Sequence, residues 1–128
     1  MPGLEDNLMI AENLAIIRQS IPLDKVTLIA VTKTQSPEAV REAFAAGLTV
    51  MVEKRVQEAV DKAAQLSDLP LEWHLIGHLQ TNKVKQAVAL FSLIHSVDSA
   101  KLAREIDRCA QNAGKVQNVL VQINVAHE

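Results

Sequence analysis

Tyrosine is absent from this 128-residue chain, and phenylalanine and tryptophan together supply only three residues. So few aromatic faces argue against a stacking platform for bases or sugars. Neither sign of charge is in excess: thirteen basic residues stand against fifteen acidic ones, a net charge of -2. That balance gives no support to a nucleic-acid binder. No apolar run approaches the ~20 residues of a membrane helix. The opening Met1-Pro2-Gly3-Leu4-Glu5-Asp6 has neither the basic start nor the apolar core of a secretion signal. The one cysteine cannot close an internal disulfide and fits a reducing cytoplasm. No stretch reads as a linker or a low-complexity tract. The composition is globular, 48% hydrophobic and 22% charged, and the length fits a single domain over residues 1–128.

Helical and strand-like segments alternate along the chain. Leu4, Leu8, Ala11, Leu14, Ala15 and Ile17 recur at helical spacing over residues 4–19, and Ser20-Ile21-Pro22 ends that helix. Val26–Val31 is short, apolar and β-branched, and reads as a strand buried on both faces, as in a parallel sheet. Ser36-Pro37-Glu38 opens a helix with a capping hydroxyl, a proline at the first turn and an acid at the positive dipole end, and Gly47 closes it. The unit then repeats. Strands are expected at Leu48–Val52, Leu71–Ile76, Leu93–Val97 and Asn118–Val125. Helices are expected from Val56 to Ala64, from Thr81 to Leu90, and from a cap at Asp98 or Ser99 to Gly114. Short βα connections imply an all-parallel α/β sheet. It can close as an open doubly wound sheet or as part of a (β/α)8 barrel, which typically takes about 250 residues. Neither Gly-x-Gly-x-x-Gly after the first strand nor a Walker sequence is present.

The carboxyl ends of parallel strands are the functional edge in both architectures, and three clusters fall there. Lys33 follows the first strand, with Thr27, Ile29 and Val31 on its side of the pleat. Facing a barrel interior it would lose hydration, its ammonium pKa would fall, and the free amine could attack a carbonyl to form a Schiff base. Otherwise it is a solvated lysine just past a strand. The run from Trp73 to Lys83 crowds polar groups at the end of the third strand, where Gly77 permits close backbone approach and the helix start favours an anion. Its bland alternative is a capped turn with a packed tryptophan. His74 and His78 are four apart, but no third ligand is near in sequence, so a metal is not expected. Glu53-Lys54-Arg55 lines the same edge or begins a solvated helix. Asp98 reads as a cap, and Cys109, on an apolar stripe with Leu102 and Ile106, as packing.

Four segments occur in one order: Ala30-Val31-Thr32-Lys33-Thr34, Arg55-Val56-Gln57-Glu58-Ala59, Trp73-His74-Leu75-Ile76-Gly77-His78-Leu79-Gln80-Thr81-Asn82-Lys83 and Ile94-His95-Ser96-Val97-Asp98. Together they resemble the pyridoxal 5'-phosphate (PLP) homeostasis family, also called PLP-binding proteins, over essentially the whole chain. The Trp73–Lys83 motif is the specific one. The resemblance implies a parallel (β/α) barrel of the fold-type III PLP class, similar to the N-terminal domain of alanine racemase, incomplete here with about five of eight strands. It implies Lys33 as the residue holding the cofactor aldehyde as an internal aldimine. The cofactor-binding set around it is Glu53, Lys54, His74, Gly77, Asn82 and Ser96, with no metal and no catalytic residue. The family binds, carries or buffers PLP and influences amino-acid and keto-acid balance without an established turnover, so a cytoplasmic carrier or regulator is the expectation.

Two departures from the family pattern stand out. Where the family reads Phe-Gly-Glu-Asn, this chain reads Met51-Val52-Glu53-Lys54. The asparagine amide is lost, Lys54 brings a second ammonium toward Lys33, and β-branched Val52 replaces bare backbone. Family members also continue for about three more strands, and that part carries their phosphate cup. If three hydrogen bonds to a charged phosphate are missing, at ~1.5–3 kcal/mol each, affinity falls by roughly 10³–10⁶. The first and fifth strands become open edges, so rearrangement, self-association or edge pairing with another chain is expected. Two other readings stay open. A racemase-like PLP enzyme would need an acid/base residue across the cofactor, and there is no tyrosine for that role. The other is an associated barrel fragment that binds no cofactor.

Overall fold

A computed structural model describes residues 12–21, 27–32 and 35–123. Leu4, Leu8, Ala11, Pro22, Val26, Lys33, Thr34 and residues 124–128 lie outside that range. The described chain forms one parallel sheet of β1 (Ala30–Val31), β2 (Val50–Glu53), β3 (Glu72–Leu75), β4 (Phe91–Val97) and β5 (Asn118–Val121). Helical residues 12–20 (α1) precede β1. Between the strands run α2 (Pro37–Ala45), α3 (Val56–Gln65), a 3₁₀ turn (Thr81–Lys83) leading into α4 (Val84–Leu90), and α5 (Ala100–Asn112).

The spatial order is β1-β2-β3-β4-β5. That order decides between the two closures open to the sequence. A doubly wound sheet reverses direction partway through its strand order; here every βα unit steps the same way, as a barrel winds. The sheet is therefore an arc of a parallel barrel.

Local chemistry explains the element boundaries. Ser36 accepts from the Ala39 N–H at 3.2 Å, with Pro37 in the first turn of α2. Gly47 has φ +101°, the left-handed conformation that ends the following turn most easily. At α5 the cap is Ser99 rather than Asp98: its hydroxyl accepts from Leu102 N–H at 3.1 Å. The expected helix from Thr81 begins instead as the 3₁₀ turn and becomes α-helical at Val84. α4 passes into β4 with no loop, Leu90 to Phe91. Lys115 donates to the Phe91 carbonyl at 2.8 Å and to that of Val88, holding this junction from beyond α5. Burial pushes the Lys115 pKa down.

The core lies between the sheet and its helices. Met51, Trp73, Leu75, Phe91 and Ile94 meet Val40, Ala59, Val84, Val88, Leu102 and Ile106 there, and Cys109 packs with them as expected. One burial expectation fails. β1 is not buried on both faces: Ile29 and Val31 are 39% and 51% exposed, whereas Leu28 and Ala30 pack on the core. In α1, Leu14 is buried but Ile17 is 41% exposed and Ala15 is also exposed. An apolar pattern states which face can be covered; among the described residues nothing covers the concave side of β1. All of β5 is exposed for the same reason. By contrast, each residue of β2 is buried.

Phe91 is fully buried, so Phe91→Ala should cost ~3–5 kcal/mol, and Ser99→Ala about 1 kcal/mol through the lost cap. Denaturant unfolding of both variants checks the contrast.

Candidate functional site

The carboxyl ends of β1, β2 and β3 are joined by side chains as well as by the ladder. Thr32, the residue after β1, donates its N–H to the Val52 carbonyl at 2.9 Å. Its hydroxyl donates to the Glu53 carboxylate, with the Val52 carbonyl oxygen 3.1 Å away as an alternative acceptor. Lys62, in the last turn of α3, donates to both Glu53 oxygens at 3.1 Å and to the Thr32 carbonyl at 2.6 Å. Glu53 is 0% and Lys62 9% exposed. Glu53 therefore does not begin a solvated helix. It points to the helix side of the sheet, where α3 supplies a cation, because a carboxylate buried this fully has to be paired.

Gly77 is the second junction. A Cβ there would fall 1.9 Å from the Lys54 carbonyl oxygen and 2.8 Å from Lys54 Cγ, so the chain after β3 touches the chain after β2 at a distance only glycine allows. The Gly77 carbonyl in turn accepts from the buried Ser96 hydroxyl at the end of β4. Three expected site residues, Lys54, Gly77 and Ser96, thus form one chain of contact across three strand ends. The Lys54 side chain itself is exposed and lines a cavity of about 410 Å³ with Arg55, Gln57, His78 and Lys83.

His74 lies opposite Val52 and Leu93 in the sheet register, on the face away from the Met51–Trp73 core. Its Nε2 meets Glu72 Oε2 at 2.8 Å. Its ring centroid is 5.5 Å from that of His95, tilted by 45°. His74 Nδ1 and His95 Nε2 are both buried and have no hydrogen-bond partner among the described residues. Burial, and then the charge of neighbouring His74, push the His95 pKa below its usual value. Such orphaned nitrogens are where a ligand or water is expected. Asn82 stands apart, exposed on the 3₁₀ turn beside Lys101 and Glu105. Lys33 lies outside the described residues, between Thr32 and Gln35 in the chain.

Thr32, Lys62 and His95 escaped notice as site residues in the sequence. Lys62 had a signal: it stands three residues after Ala59 on the buried stripe of α3, in a helix whose preceding strand ends in an acid.

The family model described as "Alanine racemase, N-terminal domain" matches residues 6–128. The chain belongs to that family. Among its relatives, the pyridoxal phosphate homeostasis protein of Aquifex aeolicus is 48% identical over 101 residues, covering 79% of this chain and 44% of that protein. The protein of the same description from Pseudomonas aeruginosa is 41% identical over 128 residues, covering 93% and 56%. Among solved structures, the chain is similar to PipY of Synechococcus elongatus PCC7942 with PLP bound. It matches with a TM-score of 0.87 at 48% identity, over 93% of this chain and 56% of PipY. The resemblance read from the four motifs is borne out. The chain spans about half the length of the curated relatives it matches.

Gly77→Ala should destabilise by at least the ~1–3 kcal/mol of ordinary overpacking, because the clash is with backbone; unfolding midpoints measure it. His95 has a lowered folded-state pKa, so the unfolded chain takes up its proton first. Its contribution is intact above about pH 6.5 and declines as the pH falls through that value. His74, with Glu72 behind it, faces the same ring. The midpoint gap between wild type and His95→Gln should therefore change between neutral and mildly acidic pH, and a constant gap would contradict the assignment.

Proposed function

We propose that this chain binds PLP at the carboxyl edge of its sheet and serves as a cofactor carrier or regulator rather than as an enzyme. The observation that carries this reading is the 48% identity, over 93% of the chain, to PipY with PLP bound. The residues present fit such a ligand. The concave face offers two buried imidazole nitrogens without partners among the described residues, and the strand ends beside it are fixed by Glu53, Lys62, Gly77 and Ser96.

When bound, PLP supplies an aldehyde able to take up an amine. Lys33 is the amine that would hold it covalently. His74 and His95 would accept or donate a proton at Nδ1 and Nε2 respectively, and Glu72 orients His74 through Nε2. Gly77 and Ser96 hold the strand ends in place. Lys54 places a second cation at this edge and favours the anionic cofactor. No tyrosine is available as an opposed acid/base, which favours a carrier over a racemase. A cytoplasmic location fits the unpaired, buried Cys109, and no helix among the described residues is long and apolar enough to cross a membrane. The exposed strand β5, with Val121 at 67% and Leu120 at 50%, supports self-association through the sheet edge.

Titration with PLP, followed by borohydride reduction and peptide mapping, tests the reading. Saturable labelling should be confined to Lys33 and be lost in Lys33→Ala. Labelling scattered over Lys54, Lys83 and other lysines would rule it out. Sedimentation should give a mass above the 14.0 kDa of one chain, lowered toward it by Val121→Lys.

A further inference from the structure

We propose that Lys62 and Glu53 are positioning residues for Lys33, fixing the peptide from which its amine is presented. This rests on the reading of Lys33 as the cofactor-holding residue. The Thr32 carbonyl oxygen belongs to the peptide that joins Thr32 to Lys33. Lys62 Nζ donates to that oxygen at 2.6 Å, and the Gln35 N–H donates to it at 3.0 Å. The Thr32 carbonyl is thus held by a buried cation as well as by a backbone N–H.

The other end of the Thr32 residue is held as firmly. Its N–H is bonded to the Val52 carbonyl at 2.9 Å, and its hydroxyl is bonded to Glu53. All three hydrogens of the Lys62 ammonium have acceptors on Thr32 or Glu53. A buried ion pair is seldom more stabilising than apolar residues of the same volume, so stability alone gives little reason for a lysine on the buried stripe of α3. Its direction gives one: it reaches past the core to the peptide preceding Lys33. The pair also brings no net charge to the edge.

The step that depends on this restraint is attachment. The neutral Lys33 amine attacks the aldehyde carbon of PLP, the C=N bond forms, and the carbonyl oxygen leaves as water. Misplacing the amine slows that step steeply.

The test compares wild type with the double variant Glu53→Gln/Lys62→Gln, which removes both charges together and leaves no buried ion unpaired. Amide exchange at residues 33–35 is measured in the cofactor-free proteins, and the rate of attachment at Lys33, at saturating PLP, by borohydride quenching and peptide mapping. In the double variant, exchange should be about tenfold faster and attachment about tenfold slower or worse. A purely structural pair would lower the unfolding temperature and leave both rates of the folded protein unchanged, and that result overturns the proposal. If the double variant does not fold, Thr32→Val, which removes only the hydroxyl link, takes its place: slower attachment supports the proposal and an unchanged rate overturns it. Wild type that never attaches PLP at Lys33 defeats the underlying reading and this proposal with it. Wild type that attaches normally beside an unaffected variant defeats the positioning role alone.

Discussion

A charge carried into the interior by Lys62 constrains everything at the carboxyl edge of this sheet. Once the ammonium is buried, it must find an anion and further acceptors. Glu53 at the end of β2 supplies the anion, and the Thr32 carbonyl after β1 supplies the remaining acceptor. The first two strand ends and the helix between β2 and β3 are thereby coupled through one polar cluster. The next two strand ends are coupled by different means, a glycine contact without a side chain and a serine hydroxyl on a carbonyl. Between them these contacts set the relative height of β1 to β4 where a ligand would approach.

The element pattern was legible because each boundary has a local cause: Ser36 and Ser99 as caps, Gly47 in a left-handed turn, β-branched runs for strands. The choice between an open sheet and a barrel was not, since both use the same βα unit; strand order alone separates them, and the motif resemblance had pointed to the barrel. Exposure of Ile29 and Val31 was misjudged because apolar periodicity marks a face suited to burial and carries no information about what covers it, whereas the open fifth strand was expected.

The candidate site was legible where the signal is local. Gly77 announced a close approach, and the partner, the Lys54 carbonyl, lies in a neighbouring loop. Glu53 looked like an ordinary acid before a helix, since its partners Thr32 and Lys62 come from two other elements. His95 was visible in a motif, yet its importance comes from facing His74 across adjacent strands, a relation set by the register of β3 and β4.

The direct passage of α4 into β4 has a consequence for how the domain can be divided. Elsewhere the chain crosses from helix to strand through several residues, and such connections accept a cut or an insertion without disturbing either neighbour. At Leu90–Phe91 the helix ends and the strand begins across one peptide bond, with Phe91 fully buried and Lys115 bonded to carbonyls on both sides. Helix and strand there form a single mechanical piece. New termini or a protease site would be accommodated in the exposed turn near Gly114 or in the connection between α3 and β3, and not at Leu90–Phe91.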